Sequence, residues 1–217
     1  MKSDVQLRED VLAELRWDPI VNATDVGVIV KDGVITLTGN LLSLAEKHAA
    51  ERAAQSVAGV KALAVELTVK LPSAHERTDA EIASAVESAI EWNSLVPKGK
   101  VHPTVEKGWI TLNGEVEWDY QRRAAEGSLR NLLGVTGVTN LVKIKPRVSA
   151  TGIEEKIQDA LVRQANREAR RIDVMVDGAQ VTLEGTVNSW AERRAAQGAA
   201  WSAPGVSTVI NHLHIGA

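Results

Sequence analysis

A pattern of 63 residues occurs three times in this chain without an internal gap. The copies run from Leu7 to Val69, from Ile82 to Ile144 and from Ile153 to Ile215, so equivalent positions lie 75 and then 71 residues apart. A repeat of this kind replaces one large fold with several copies of a smaller one. We refer to the copies as units 1, 2 and 3, and we expect three domains at residues 1–70, 78–146 and 149–217.

The same short sequences mark each unit. A turn glycine precedes a strand that ends in a second glycine, as in Gly33-Val-Ile-Thr-Leu-Thr-Gly39. Further along, a glycine–valine pair opens an alternating apolar segment. These pairs are Gly59-Val60, Gly134-Val135 and Gly205-Val206. All length variation falls in the two connectors, which contain Pro72 and Pro146, so the units are the folded bodies and the proline segments are links.

Each unit is predicted to begin with a helix. A capping box, in which a hydroxyl and a residue three positions later satisfy each other's backbone donors, marks its start. The boxes are Ser3 with Gln6, Thr78 with Glu81, and Thr151 with Glu154. The apolar residues that follow have the spacing of one helical stripe. They are Leu7, Val11 and Leu15 in unit 1, Ile82, Val86 and Ile90 in unit 2, and Ile153, Ile157 and Leu161 in unit 3.

The rest of the unit is predicted to be a hairpin, a second helix and a closing strand. Alternating apolar residues on both sides of the Asp32-Gly33 turn indicate the hairpin, and Gly178, one place earlier in unit 3, predicts a different turn type there. Ser43 with Glu46 and Ser189 with Glu192 predict capping boxes for the second helix. We therefore expect an α+β fold of three αββαβ units. Each unit would have a small three-stranded mixed sheet with two helices on one face and its third strand parallel to the second.

These repeated residues resemble a known family. The hairpin D-G-x-x-T-L-x-G, the alanine pair of the second helix and the later G-V are similar to the BON domain, a family named for bacterial osmotically inducible and nodulation proteins. Three tandem copies cover nearly the whole chain, which looks like a cytoplasmic triple-BON protein. The resemblance implies an αββαβ fold, no catalysis, and contact with phospholipid membranes under osmotic or other stress.

Composition excludes several classes of chemistry. The chain has no cysteine, so disulfides, thiolate metal sites and thiol catalysis are absent. Its net charge is −3 and its pI is near 6.0, which gives no global attraction to nucleic acid. No apolar run is long enough to span a membrane, and the charged N-terminus shows no signal peptide. We expect a cytoplasmic, non-enzymatic protein without cofactor or metal, or a periplasmic protein if a leader was removed.

One pair of basic residues recurs in the second helix of every unit. The pairs are Lys47-His48, Arg122-Arg123 and Arg193-Arg194. Near a helix start, where backbone N–H groups are free, positive side chains suit an anionic phosphate. We therefore take these six residues as the candidate contacts for anionic lipid. The alternative is a solvated, ion-paired surface, which is the usual state of charged helix faces.

Other residues give weaker signals. Arg163, Arg167, Arg170 and Arg171 form a basic cluster in unit 3 that could attract an anionic membrane. Trp17 and Trp92 share a repeat position and either anchor in headgroups or, with the other tryptophans, fill gaps between small units. His212 and His214 share a strand face, which is possible metal geometry, but no other unit repeats the pair and we expect both side chains to face solvent. Thr36, Thr111 and Thr182 are conserved across the units as good strand formers.

Two functions are compatible with these patterns. The first is a stress-associated module that contacts phospholipid surfaces, and the basic helix pairs and the BON resemblance favour it. The second is a protein–protein adaptor or chaperone-like scaffold that recruits partners through exposed strand edges or polar sheet faces.

Overall fold

The computed structural model describes residues 2–146, 153–164 and 172–216. Each unit contributes two helices, one before its hairpin and one after it. The helices are α1 (Asp4–Trp17), α2 (Leu44–Ser56), α3 (Asp79–Glu91), α4 (Asp119–Gly127), α5 (Ile153–Gln164) and α6 (Trp190–Trp201). The strands are β1 (Val26–Lys31), β2 (Val34–Leu41), β3 (Ala62–Val69), β4 (Val101–Glu106), β5 (Trp109–Val116), β6 (Gly137–Asn140), β7 (Lys143–Ile144), β8 (Ile172–Asp177), β9 (Gln180–Val187) and β10 (Thr208–Ile215).

Each unit has one small mixed sheet, as the repeat predicts. In unit 1 the order is β1-β2-β3, with the first pair antiparallel and the second parallel. Unit 3 has the same order in β8, β9 and β10. In unit 2 the third strand is divided into β6 and β7, which both pair with β5 in parallel. The α+β class and the parallel third strand are therefore confirmed.

The two helices of a unit cover one face of its sheet. In unit 1 the α1 stripe of Leu7, Val11 and Leu15 is at most 2% exposed, and Ile35 and Leu37 of the central strand are fully buried below it. The second helix presents small side chains to the same core, namely Ala49, Ala50, Ala53 and Ala54. Alanine lets a helix lie close to a sheet. Each leucine or isoleucine buried between the layers stabilises the unit by about 1.5–3 kcal/mol.

The predicted capping boxes form on the first helices and are shifted on the second. The boxes at Ser3 and Thr78 are complete, whereas Thr151 lies outside the described residues. On α2 the Ser43 hydroxyl caps the helix, but the Glu46 carboxylate accepts from the backbone N–H of Leu42 instead of that of Ser43. Equivalent oxygens of Gln121 and Glu192 accept from Glu117 and Asn188 in the same way. The prediction of a full capping box was therefore wrong for α2 and α6. In both helices the glutamate accepts from the backbone N–H of the residue before the N-cap, and so links the end of the preceding strand to the helix.

The hairpin turns differ as the glycine positions predict. Asp32 and Gly33 both have positive φ, 52° and 81°, as in a type I′ turn. In both of the first two units an aspartate in the first turn of the first helix accepts from the two turn N–H groups. Asp4 bonds Asp32 and Gly33, and Asp79 bonds Lys107 and Gly108. In unit 3 Gly178 has φ 56° and Ala179 has negative φ, which fits a type II′ turn.

The three units contact one another head to tail. At each boundary the start of the second helix of one unit meets the end of the second helix, or the loop after it, in another. Leu44 of unit 1 is 4% exposed and belongs to the core of unit 2, where it lies beside Val135. The guanidinium of Arg122 in unit 2 lies 4.8 Å from the ring centre of Trp201 in unit 3.

The third boundary joins unit 3 back to unit 1. The Trp190 ring packs on the core of unit 1, and Arg194 Nη1 donates to Gln55 Oε1 at 2.9 Å. Because Gln55 and Trp201 are equivalent repeat positions, the boundaries use equivalent surfaces. Three heterologous contacts of one kind that return to the starting unit define a closed ring. The units are therefore related by an approximate threefold axis.

Candidate functional site: two exposed tryptophan tips

Two tryptophans at equivalent positions are almost fully exposed. The Trp17 side chain at the end of α1 is 84% exposed, and Trp92 at the end of α3 is 89% exposed. These are the highest values among the exposed large apolar side chains of the described residues. Rings this exposed contribute nothing to the core. Burying them against a partner surface would be favourable, because it would remove apolar area from water.

The helix geometry explains why the rings point away from the protein. The buried stripe of α1 ends at Leu15, and the side chain two residues later is rotated by about 200° around the helix. Trp17 therefore lies on the side opposite to the core. Ile90 and Trp92 have the same relationship on α3, where Ile90 is 8% exposed.

An aliphatic side chain accompanies each ring. Ile20 is 55% exposed and its equivalent Leu95 is 54% exposed. A turn centred on the intervening polar residue holds each one in place, since Asp18 Oδ1 accepts from the backbone N–H of Ile20 at 3.0 Å. Asn93 Oδ1 bonds Leu95 N in the same way at 2.9 Å. We refer to Trp17 with Ile20, and to Trp92 with Leu95, as the two tips.

The ring of units places both tips at one level. Equivalent points of a rotationally symmetric ring lie at the same height along its axis. Trp17 and Trp92 are equivalent positions of units 1 and 2, so the two tips lie at the same height along the axis. The equivalent residue of unit 3 is Arg163, near the end of α5.

The basic pairs of the second helices have mostly internal partners. Arg122 and Arg123 contact the carboxylate of Asp119, which is 2% exposed. Arg123 Nε lies 2.7 Å from Asp119 Oδ2, although that oxygen receives no hydrogen bond of good geometry, so the contact is an ion pair. Arg193 donates to the carbonyl oxygens of Asn211 and Leu213 and lies over the Trp190 ring.

The remaining members of the predicted lipid site are more loosely held. Arg194 bonds Gln55 across the ring boundary, and His48 Nδ1 lies 3.2 Å from Glu51 Oε2. Lys47 is half-buried. Arg122 and Arg194 thus lie at boundaries between units, whereas Arg123 and Arg193 have their partners within their own unit. Their role as lipid contacts stays a prediction.

The other sequence signals are distributed over the fold. The gap-filling role is confirmed for Trp190 and Trp201, which pack on neighbouring units, and is wrong for Trp17 and Trp92. His212 and His214 are exposed, and no cluster of metal-ligating side chains occurs among the described residues.

The cluster of Arg167, Arg170 and Arg171 lies outside the described residues. In the part of the chain that the structure describes, no helix is long and apolar enough to cross a bilayer.

Ile20 and Leu95 were not anticipated from the sequence. The signal that identifies them is a second, shorter repeat, in which tryptophan, Asp or Asn, any residue, Ile or Leu, and valine follow one another at Trp17 and again at Trp92. The valines that end this repeat, Val21 and Val96, are buried. One end of the repeat is therefore anchored in the core while the rest projects into solvent.

Comparison with known proteins identifies the class of domain. The BON domain family matches residues 3–70, 78–146 and 149–217, and the chain therefore belongs to the BON domain family, in three tandem copies.

The chain is also similar to particular proteins. It is 28% identical over 131 residues to osmotically-inducible protein Y of Escherichia coli (strain K12). That match covers 58% of this chain and 64% of the relative, so the chain spans less than two thirds of the relative's length.

Two solved structures are similar to the chain at a lower level. Both are of CdsD, a structural protein of the type III secretion system of Chlamydia trachomatis. The first is 15% identical with a TM-score of 0.26 and covers 96% of this chain and 91% of that chain. The second, its C-terminal domain, is 13% identical with a TM-score of 0.28 and covers both chains fully. These scores are too low to show a shared arrangement.

Proposed function

We propose that this protein is a stress-associated, non-enzymatic module that binds the surface of phospholipid membranes by inserting its two tips. The pair of tryptophans exposed at equivalent positions carries the proposal. Membership of the BON family and similarity to an osmotically-inducible protein support the link to stress.

The chemistry of the tips suits the boundary between headgroups and acyl chains. Tryptophan is enriched at this depth because its ring is apolar and its N–H is polar. Burying the four exposed apolar side chains of the tips would contribute on the order of 4–6 kcal/mol, which is comparable with the marginal, reversible binding given by one acyl chain. Two tips at one level enter the same leaflet together, whereas a single tip would bind too weakly.

Charge near the tips is mixed. Arg16, Lys98 and Lys100 are exposed and lie within a few residues of the tips in the sequence, but so do Asp18 and Glu91. A basic residue near an anionic membrane contributes about 1 kcal/mol, and the acids offset part of this. We therefore expect a modest preference for anionic vesicles and only partial loss of binding at high salt.

Vesicle cosedimentation tests the proposal. The full chain should sediment with phosphatidylcholine vesicles that contain phosphatidylglycerol, and the double variant Trp17→Ser/Trp92→Ser should lose at least about tenfold in affinity. Trp109→Val removes a half-exposed indole elsewhere on the surface and is the matched control. The proposal is wrong if the double variant sediments like the control.

Two further outcomes have defined meanings. Binding that depends on Arg122, Arg123, Arg193 and Arg194 but not on the tips would move the lipid contact to the second helices. Failure to bind any vesicle, together with specific loss of protein partners from variants that lack one unit, would favour the scaffold function instead.

A further inference from the structure

The outer face of the unit 2 sheet carries an indole that is fixed flat against the sheet. Trp109 Nε1 donates to Thr139 Oγ1 at 2.9 Å. The ring lies over Gly137, because a Cβ atom placed on that glycine would be only 2.3 Å from ring atom Cζ3. The side chain is nevertheless 47% exposed. One face of the ring therefore rests on the protein and the other meets solvent.

Hydroxyl groups lie beside this ring. Thr104, Thr111 and Thr139 are partners in register across β4, β5 and β6 and so form one row on the outer face. The hydroxyl of Thr139 accepts the indole bond and keeps its own hydrogen for donation. A hollow of about 540 Å³ covers the area, lined by Thr104, Glu106, Lys107, Trp109, Thr111 and Thr136. Its lining has one acid and one base and no net charge.

The fold itself does not require this arrangement. At the position of Trp109, units 1 and 3 have Val34 and Gln180. The outer threonines of the row are replaced by apolar residues in both other units, namely Ile29 and Ala64 in unit 1 and Met175 and Ile210 in unit 3. An aromatic ring over a strand glycine stabilises a sheet, which accounts for the buried face of the indole. It does not account for the row of hydroxyls beside the open face.

We propose that this surface of unit 2 binds a neutral pyranose sugar, with the sugar ring stacked on the Trp109 indole. A pyranose with equatorial hydroxyls presents a flat face of C–H groups, which matches the open face of the indole. Its rim hydroxyls match the threonine row, and Glu106 accepts a hydrogen bond from them. Such convergence of one aromatic surface with a few placed polar groups is typical of small-ligand sites.

Other ligand classes fit this surface less well. An acyl chain would remove the threonine hydroxyls from water without giving them partners, which costs free energy. A phosphate group gains nothing from a lining whose single lysine is balanced by Glu106. An added peptide strand would use the backbone of a sheet edge, whereas Trp109 lies on a sheet face.

A titration of the full chain with cellotriose tests the proposal, followed by isothermal calorimetry for every protein and also through the indole N–H resonance of Trp109 where that residue is present. We expect a saturable shift, and no shift with sorbitol, a linear polyol that has hydroxyls but no ring face. Trp109→Val installs the residue of unit 1 and should reduce the affinity by at least about tenfold. Thr111→Val, which removes one hydroxyl at nearly constant shape, should reduce it less.

The Trp17→Ser/Trp92→Ser variant separates this site from the membrane tips. It should bind cellotriose like the unchanged protein, just as Trp109→Val should keep its affinity for vesicles. The sugar proposal is overturned if cellotriose gives no saturable shift at Trp109, or if Trp109→Val binds cellotriose with unchanged affinity while its thermal unfolding stays the same. Neither result bears on lipid binding.

Discussion

The indole Nε1 of Trp190 donates a 3.1 Å hydrogen bond to the backbone carbonyl oxygen of Val60, a residue 130 positions earlier in the chain. The bond joins the first residue of α6 in unit 3 to the glycine–valine loop of unit 1. Leu44 occupies the equivalent place in unit 1 and fills an equivalent site on unit 2. Trp190 thus makes the contact that returns the chain to its first unit.

Replacing Trp190 should weaken the ring. Trp190→Leu installs the residue of unit 1 but leaves the Val60 carbonyl without its partner, and an unsatisfied buried acceptor costs about 1–3 kcal/mol. We expect a loss of about 2 kcal/mol in the free energy of unfolding, measured with urea. Trp17→Leu changes an exposed ring and should stay within about 0.5 kcal/mol. Equal effects of the two substitutions would show that the Trp190 contact does not stabilise the ring.

The two tips should reach the same membrane depth. The chain has no cysteine, so a spin label attaches selectively to the one cysteine of the Ile20→Cys variant or of the Leu95→Cys variant. Both tryptophans stay in place in these two variants. On vesicles, the accessibility of the two labels to oxygen and to a water-soluble nickel complex should indicate equal burial. A label at Ile29, which is 60% exposed on the unit 1 sheet, should stay in water. Burial of one tip alone would contradict the ring arrangement.

Gly114 should tolerate no side chain. Its φ is 137°, and a Cβ atom there would lie 2.0 Å from the backbone oxygen of Lys100. We expect Gly114→Ala to cost more than about 3 kcal/mol in chemical denaturation, since the backbone itself must move. Gly99 also has positive φ, 67°, but open space around it. Gly99→Ala should therefore cost only about 1 kcal/mol, and similar losses at both glycines would refute the steric explanation.

Acid should weaken the start of α3 through Glu81. The backbone N–H of Thr78 and then its hydroxyl donate to this carboxylate and hold its pKa below the usual value of 4.5. Because the pKa of Glu81 is lower in the folded state than in the unfolded state, its ionised carboxylate stabilises the fold. This stabilisation is complete above the unfolded pKa and is lost as pH falls through the folded pKa.

Glu81→Gln keeps the cap acceptor but cannot titrate. Its unfolding free energy should therefore fall less steeply below pH 4.5 than that of the unchanged protein. Glu87→Gln, an exposed change on the same helix, is the control. Identical acid slopes for the unchanged protein and Glu81→Gln would rule out the cap as their source.

Most of the fold follows from local patterns. The stripes such as Leu7, Val11 and Leu15, the caps at Ser3 and Thr78, and the turn glycines act within a few residues, so one sequence reveals them. The shifted bond of Glu46 was missed because its acceptor role depends on how the preceding strand meets the helix. Spacing alone does not distinguish a partner at Ser43 from one at Leu42.

The candidate site was only partly predictable. The sequence shows that Trp17 and Trp92 are equivalent, but it does not show whether equivalent rings face a neighbour or the solvent. That depends on which surfaces the ring of units covers. Arg122 and Arg194 are the opposite case. Their charge suggested a solvent-exposed binding face, but both lie at contacts between two units, which the sequence of one unit does not reveal.

A head-to-tail contact can repeat without limit, because each added unit again exposes one unused contact surface. A chain of two such units would leave one half of the contact bare on each unit, and copies would add to one another into filaments unless the rotation closed. With about 120° per step, the third unit covers both bare halves at once. The link from Trp190 to Val60 therefore also explains why the unit occurs three times: three is the smallest number at which this contact leaves no surface for uncontrolled growth.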